Sequence, residues 1–73
     1  MEIIKRLELK GLKVHKEDDY YVVEDSEGYT VVMDIIVDTV FIMDNEGLEV
    51  SHHIKQDNMI IYSVLSALDY DFE

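Results

Sequence analysis

The chain has 73 residues, with six Lys plus Arg, seventeen Asp plus Glu and no Cys, Pro or Trp, which points to one small domain with neither disulfides nor a Cys-based metal staple. A 48% hydrophobic share makes a folded core the expectation despite a formal charge of −11, yet a chain this short buries only about 60% of its unfolded surface, so association is the remaining support. No apolar run approaches the roughly 18 residues of a membrane span, and MEIIKRLELK at the amino terminus has helical periodicity in place of a signal peptide's apolar block, so the expected location is cytoplasmic.

Charge is divided along the chain. Lys5, Arg6, Lys10, Lys13 and Lys16 all precede residue 17, and with Glu2 and Glu8 they give residues 1–16 a net of +3. Lys55 is the one later cation, set against fifteen carboxylates, so residues 17–73 carry −14. Carboxylates this dense repel one another, and they act either as a solubilising excess or as a field for a basic partner. Direct nucleic-acid binding does not fit, because it needs clustered Lys and Arg over several phosphates.

In chain order, Ile3, Ile4 and Leu7 share a helical face, with Glu2 near the start, Lys10 near the end and Gly11 in the terminating position; this predicts a short helix over about 2–10. Leu12 and Val14 alternate with Lys13 and His15, the pattern of a Lys-protected edge strand, before the polar turn Glu17-Asp18-Asp19. From Tyr20 the β-branched residues Val22, Val23, Val31, Val32, Ile35, Ile36, Val37 and Val40 favour strands.

Two hairpin tips are legible. Asp25-Ser26-Glu27-Gly28 recurs nineteen residues later as Asp44-Asn45-Glu46-Gly47, with Val31 matching Val50. In each, Asp can accept backbone bonds, the middle residues suit a type I turn, and Gly suits the left-handed residue of a following bulge. Shared turn chemistry accounts for the recurrence without duplication. Between the tips, residues 31–43 are too long for one ordinary strand; a break near Val37 to Thr39 is expected, with one long bent strand as the alternative. Apolar residues fill both alternating positions there, so both sheet faces call for cover.

The last element begins at Asp57, read as an N-cap, and sets Ile60, Ile61, Val64, Leu65 and Leu68 on one stripe of a helix ending about Leu68. Its other side, Tyr62, Ser63, Ser66 and Ala67, is uncharged and invites cover. Asp69-Tyr70-Asp71-Phe72-Glu73 should leave the helix, since anions oppose its carboxyl-terminal dipole; this acidic aromatic tail reads as frayed residues or as a docking peptide. The fold class is therefore α+β: a small antiparallel β-meander flanked by a short N-terminal helix and a C-terminal helix.

Chemistry is sparse. His52 and His53 are neighbours, and in a strand neighbours point to opposite faces, so with His15 they make a poor metal set. A calcium loop centred on Gly28 would put Val23 at its first ligand, and one centred on Gly47 would put Ile42 there; a loose divalent-ion site at a tip is the alternative. No nucleophile elbow surrounds Ser26, Ser51, Ser63 or Ser66, and no Gly run cradles a phosphate. No catalytic residue, metal or cofactor is assigned. Asp34 and Asp38 interrupt the apolar stretch, at a strand end or turn, or buried beside a cation such as Lys5 or Arg6.

Two functions follow. The first is an acidic protein-binding module, in its sharpest form an inhibitor that mimics nucleic acid and fills a basic groove of a nucleic-acid-binding protein. Same-face strand residues repeat every ~6.8 Å, about two ~3.4 Å phosphate steps. Candidate contacts are Glu17, Asp18, Asp19, Glu24, Asp25, Glu27, Asp44, Glu46 and Glu49, gathered into one continuous flank. A phage or other mobile element is the setting associated with such inhibitors, not one deduced from these residues. The second function is a homo-oligomer, a homodimer in the simplest case, acting through its apolar surface. Against it stands a monomer whose two helices cover opposite faces of a curled sheet.

Overall fold

The computed structural model describes residues 2–44 and 46–68. Their order is α1 (Glu2–Leu9), β1 (Lys13–Lys16), β2 (Tyr20–Glu24), β3 (Thr30–Ile36), β4 (Thr39–Met43), β5 (Glu49–His53) and α2 (Asp57–Ala67). All five strands pair antiparallel with their sequence neighbours, giving an α+β meander ordered β1 to β5. The tail 69–73 lies outside the described residues. No helix among the described residues is long and apolar enough to cross a membrane.

The first helix ends where glycine permits it. Gly11 takes φ +90°, its N–H bonds the Glu8 carbonyl, and the Leu12 N–H reaches back to the Leu7 carbonyl. This pair of bonds is a Schellman closure, and its usual apolar partners, here Leu7 and Leu12, are both buried. Lys10 therefore sits in the closing turn, one residue past the helix. At the far end of the chain the N-cap is Gln56, not Asp57 as the sequence suggests. Asp57 occupies the first helical turn, where a carboxylate complements the dipole. The Gln56 side chain accepts the His53 N–H, so it caps the end of β5 instead of the helix.

Both predicted tips close as hairpin turns, with the Gly28 N–H on the Asp25 carbonyl and the Gly47 N–H on the Asp44 carbonyl. Asp25 Oδ1 accepts from the N–H groups of Glu27 and Tyr29, and Asp44 Oδ1 from those of Glu46 and Leu48, each at 2.9 Å. Gly28 and Gly47 supply φ of +90° and +85°. The long apolar run breaks at Val37-Asp38, a two-residue turn. Val37 has φ +58°, in the position that a type II′ hairpin reserves for glycine, and is 90% exposed. A β-branched residue is strained there. Contacts beyond the turn hold it: Asp38 accepts the Ile54 N–H at 2.7 Å through its backbone, and its carboxylate meets His53 Nε2 at 3.3 Å.

Both helices lie on the same face of the sheet, which overturns the alternative of a monomer whose helices cover opposite faces. Ile3 and Leu7 of α1 and Ile60, Ile61, Val64 and Leu65 of α2 bury Val23, Val31, Met33, Val40 and Ile42 in one core. Arg6 donates to Asn58 Oδ1 at 2.8 Å, linking the two helices side by side. Adjacent helices can share only one sheet face, so the opposite face has no cover among the described residues.

Candidate functional site

Register fixes what the open face displays. Val22 pairs with Val32, Val32 with Met43, and Met43 with Glu49, so one row crosses the sheet from His15 on β1 to Glu49 on β5. The next row runs Tyr20, Asp34, Phe41 and Ser51. These residues alternate with the buried Val23, Val31, Met33, Val40 and Ile42, and therefore point away from the helices. Val22, Val32 and Phe41 are half-buried by their neighbours, while Tyr20, Met43 and Ile36 are 38%, 42% and 54% exposed. Tyr20, Val32, Asp34, Ile36, Phe41, Met43 and Glu49 enclose a shallow depression of about 230 Å³. A contiguous apolar patch rimmed by polar groups is the usual mark of a protein-binding surface.

Asp34 stands near the middle of this patch. It lies within β3, neither at a strand end nor in a turn, and it is half-buried between Tyr20 and Phe41 in register. Neither Lys5 nor Arg6 is its partner: Arg6 is committed to Asn58, and α1 lies on the other face. Asp38 does sit in a turn, exposed beside His53.

The nine acidic candidates divide into two groups. In a meander, alternate turns fall at opposite ends of the sheet. Asp25 and Glu27 in the β2–β3 turn therefore share one end with Asp44 and Glu46 in the β4–β5 turn. Glu24 and Glu49 stand on the open face next to that end. Glu17, Asp18 and Asp19 lie at the other end, in the β1–β2 turn. The single continuous flank expected from sequence is thus six carboxylates at one end and three at the other. Asp25 and Asp44 also spend one oxygen each on their turns, which leaves Glu27 and Glu46 as the freer anions of the tips. Lys5 and Lys10 are exposed along or just beyond α1 and Lys16 lies beside the β1–β2 turn, whereas Lys13 opens β1 at the six-carboxylate end, opposite Glu24 in register.

A second apolar groove runs between α2 and the β4–β5 hairpin, lined in part by Leu48, Val50, Tyr62 and Ser66. The uncharged side of α2 is thus only partly covered: Ala67 packs on the core, and Ser63 Oγ lies 2.7 Å from His52 Nε2, whereas Tyr62 and Ser66 are exposed. His52 faces the helices and His53 the opposite side, where its Nδ1 accepts the Lys55 N–H. With that nitrogen an acceptor, Nε2 carries the proton directed at Asp38. The two imidazoles are therefore fastened to different elements. Among the described residues, no group of three His, Asp or Glu side chains is placed to hold a metal ion.

Compared with known proteins, the chain matches no family model, no curated protein and no solved structure. The functional reading therefore rests on the surface just described. Sequence reasoning anticipated two-faced strands without identifying Tyr20, Val32, Asp34, Ile36, Phe41 and Met43 as one patch. The signal was present in residues 31–43, but choosing the uncovered face required knowing that both helices pack together.

Proposed function

We propose that this chain is a non-catalytic acidic protein-binding domain of the cytoplasm that presents carboxylates to a basic, nucleic-acid-binding protein. The observation that carries the reading is the grouping of Glu24, Asp25, Glu27, Asp44, Glu46 and Glu49 at one end of the sheet, on two hairpins that point the same way. Lys13 lies opposite Glu24 at this same end, but the β4–β5 tip is separated from β1 by β2 and β3, so the anions of that tip keep their field. Two tips separated by two strand spacings, ~10 Å, offer parallel rows of anions to a basic groove, as a phosphate backbone does. Inhibition by nucleic-acid mimicry, in a phage or other mobile element, is the sharper form of this reading.

A pull-down from nuclease-treated lysate, run beside immobilised duplex DNA, tests it. The proteins retained should overlap with those on DNA and elute as ionic strength rises. Replacing Asp25, Glu27, Asp44 and Glu46 by Asn and Gln keeps an acceptor for each turn while removing the charges, and should abolish retention. Retention that ignores both salt and these substitutions contradicts the proposal.

The uncovered apolar face favours a second reading, a homo-oligomer formed through that face. It is compatible with the first, since the tips and the face are different surfaces.

A further inference from the structure

We infer that the open sheet face binds a second copy of this chain face to face, about a two-fold axis parallel to the strands through β3. The inference rests on the homo-oligomer reading and adds the surface, its orientation and the residues that set them. Two observations carry it, and a third limits its strength.

The first is the match of the face to itself. Rotation about an axis along β3 lays β2 of one copy over β4 of the other and β1 over β5. By register, Val22 then meets Met43 and Tyr20 meets Phe41, while Val32 and Ile36 meet their own counterparts on the axis. Every large apolar residue of the patch finds an apolar partner. Charge follows the same rule. His15 lies in the row of Glu49, and Lys13 is two residues along β1, so the basic border of one copy covers the acidic border of the other. Rotation about an axis across the strands would instead place β1 over β1 and β5 over β5, so the basic border of one copy would not meet the acidic border of the other.

The second is size. Four strand spacings of ~4.8 Å and five residues of ~3.4 Å give a footprint of ~19 by ~17 Å. Two such faces bury roughly 1,000 Å² of accessible surface with their side chains, at the lower limit for a specific interface. The dimer is therefore weak, and concentration governs it.

The third is Asp34, which lies on the axis and meets its own counterpart. It is the one like-charge contact in an otherwise complementary face, and it holds association in check. The same rotation sets the hairpin ends of both copies side by side, so dimerisation doubles the anionic surface of the first reading. Repulsion between two chains of −11 each means that salt should tighten the dimer, whereas it loosens a contact with a basic protein.

Sedimentation equilibrium from micromolar to millimolar concentration tests the inference. The wild-type chain should pass from monomer to dimer, at lower concentration in high salt. Met43→Lys, at an exposed position that tolerates the side chain in a monomer, should remain monomeric; because it lowers the net negative charge, long-range repulsion cannot explain the loss. Asp34→Asn should tighten the dimer at least tenfold, an increase that misfolding cannot imitate. Lys13→Glu and Glu49→Lys should each weaken it, and the double variant, with unchanged net charge, should recover most of the loss. A wild-type chain that stays monomeric removes the homo-oligomer reading altogether. A dimer indifferent to Met43→Lys and Asp34→Asn keeps that reading and overturns this face, while failure of the double variant to recover overturns the orientation.

Discussion

The two faces of one sheet differ in what covers them, although residues one apart supply both. Val23 is fully buried and Val22 beside it only half so; the same contrast separates Met33 from Val32 and Ile42 from Phe41. On the helix side, α1 and α2 close over the central strands and leave an apolar groove beside β5, at Leu48, Val50 and Tyr62. On the other side, residues just as apolar are left against solvent with one carboxylate among them. Apolar composition alone therefore does not define a core, and the placement of two short helices decides which half of the apolar residues serves the fold.

The largest effect should come from the covered face. Met33→Ala removes a buried side chain and should cost about 2–5 kcal/mol in chemical denaturation, while Met43→Ala on the open face should cost under about 1 kcal/mol in the monomer. Equal losses would break the contrast between the faces. Next comes the bond that fixes β5 to the helix layer. Ser63→Ala leaves His52 without its hydroxyl partner and should cost about 1–2 kcal/mol; His53→Ala, losing an exposed contact with Asp38, should cost less.

The turns sharpen the comparison further, because one is strained and two are capped. Val37→Gly relieves the positive φ of a side chain that packs on nothing, and should raise stability by about 1 kcal/mol after the added flexibility of glycine is counted. A loss would mean that Val37 makes a contact worth more than its strain. Asp25→Ala should cost about 1 kcal/mol through its two turn bonds, with Glu27→Ala, in the same tip, within about 0.5 kcal/mol of wild type. The smaller effect at Glu27 identifies it as a charge available for binding, and the larger one at Asp25 as part of the turn.

Local chemistry made much of this fold legible. Gly11 closes α1, the two Asp-to-Gly tips turn as their residues demand, and the stripe of Ile60, Ile61, Val64, Leu65 and Leu68 is buried as its spacing requires. The break at Val37-Asp38 was visible from length alone, since nothing in Val37 announces a left-handed residue. What could not be read was tertiary. Asp57 resembles an N-cap until Gln56 is seen turned toward β5, and Asp34 resembles a turn residue until pairing sets it between Tyr20 and Phe41. Charge alone marks the acidic candidates, and their division between two ends follows from meander topology, which no single turn encodes.

The most direct test of the account is to follow backbone amide chemical shifts of the wild-type chain on dilution from millimolar to micromolar concentration. Shifts concentrated at Tyr20, Val22, Val32, Asp34, Phe41 and Met43, with α1 and α2 little changed, are the predicted result. Spectra that do not depend on concentration, or changes centred on Leu48, Val50 and Tyr62 beside α2, would contradict it.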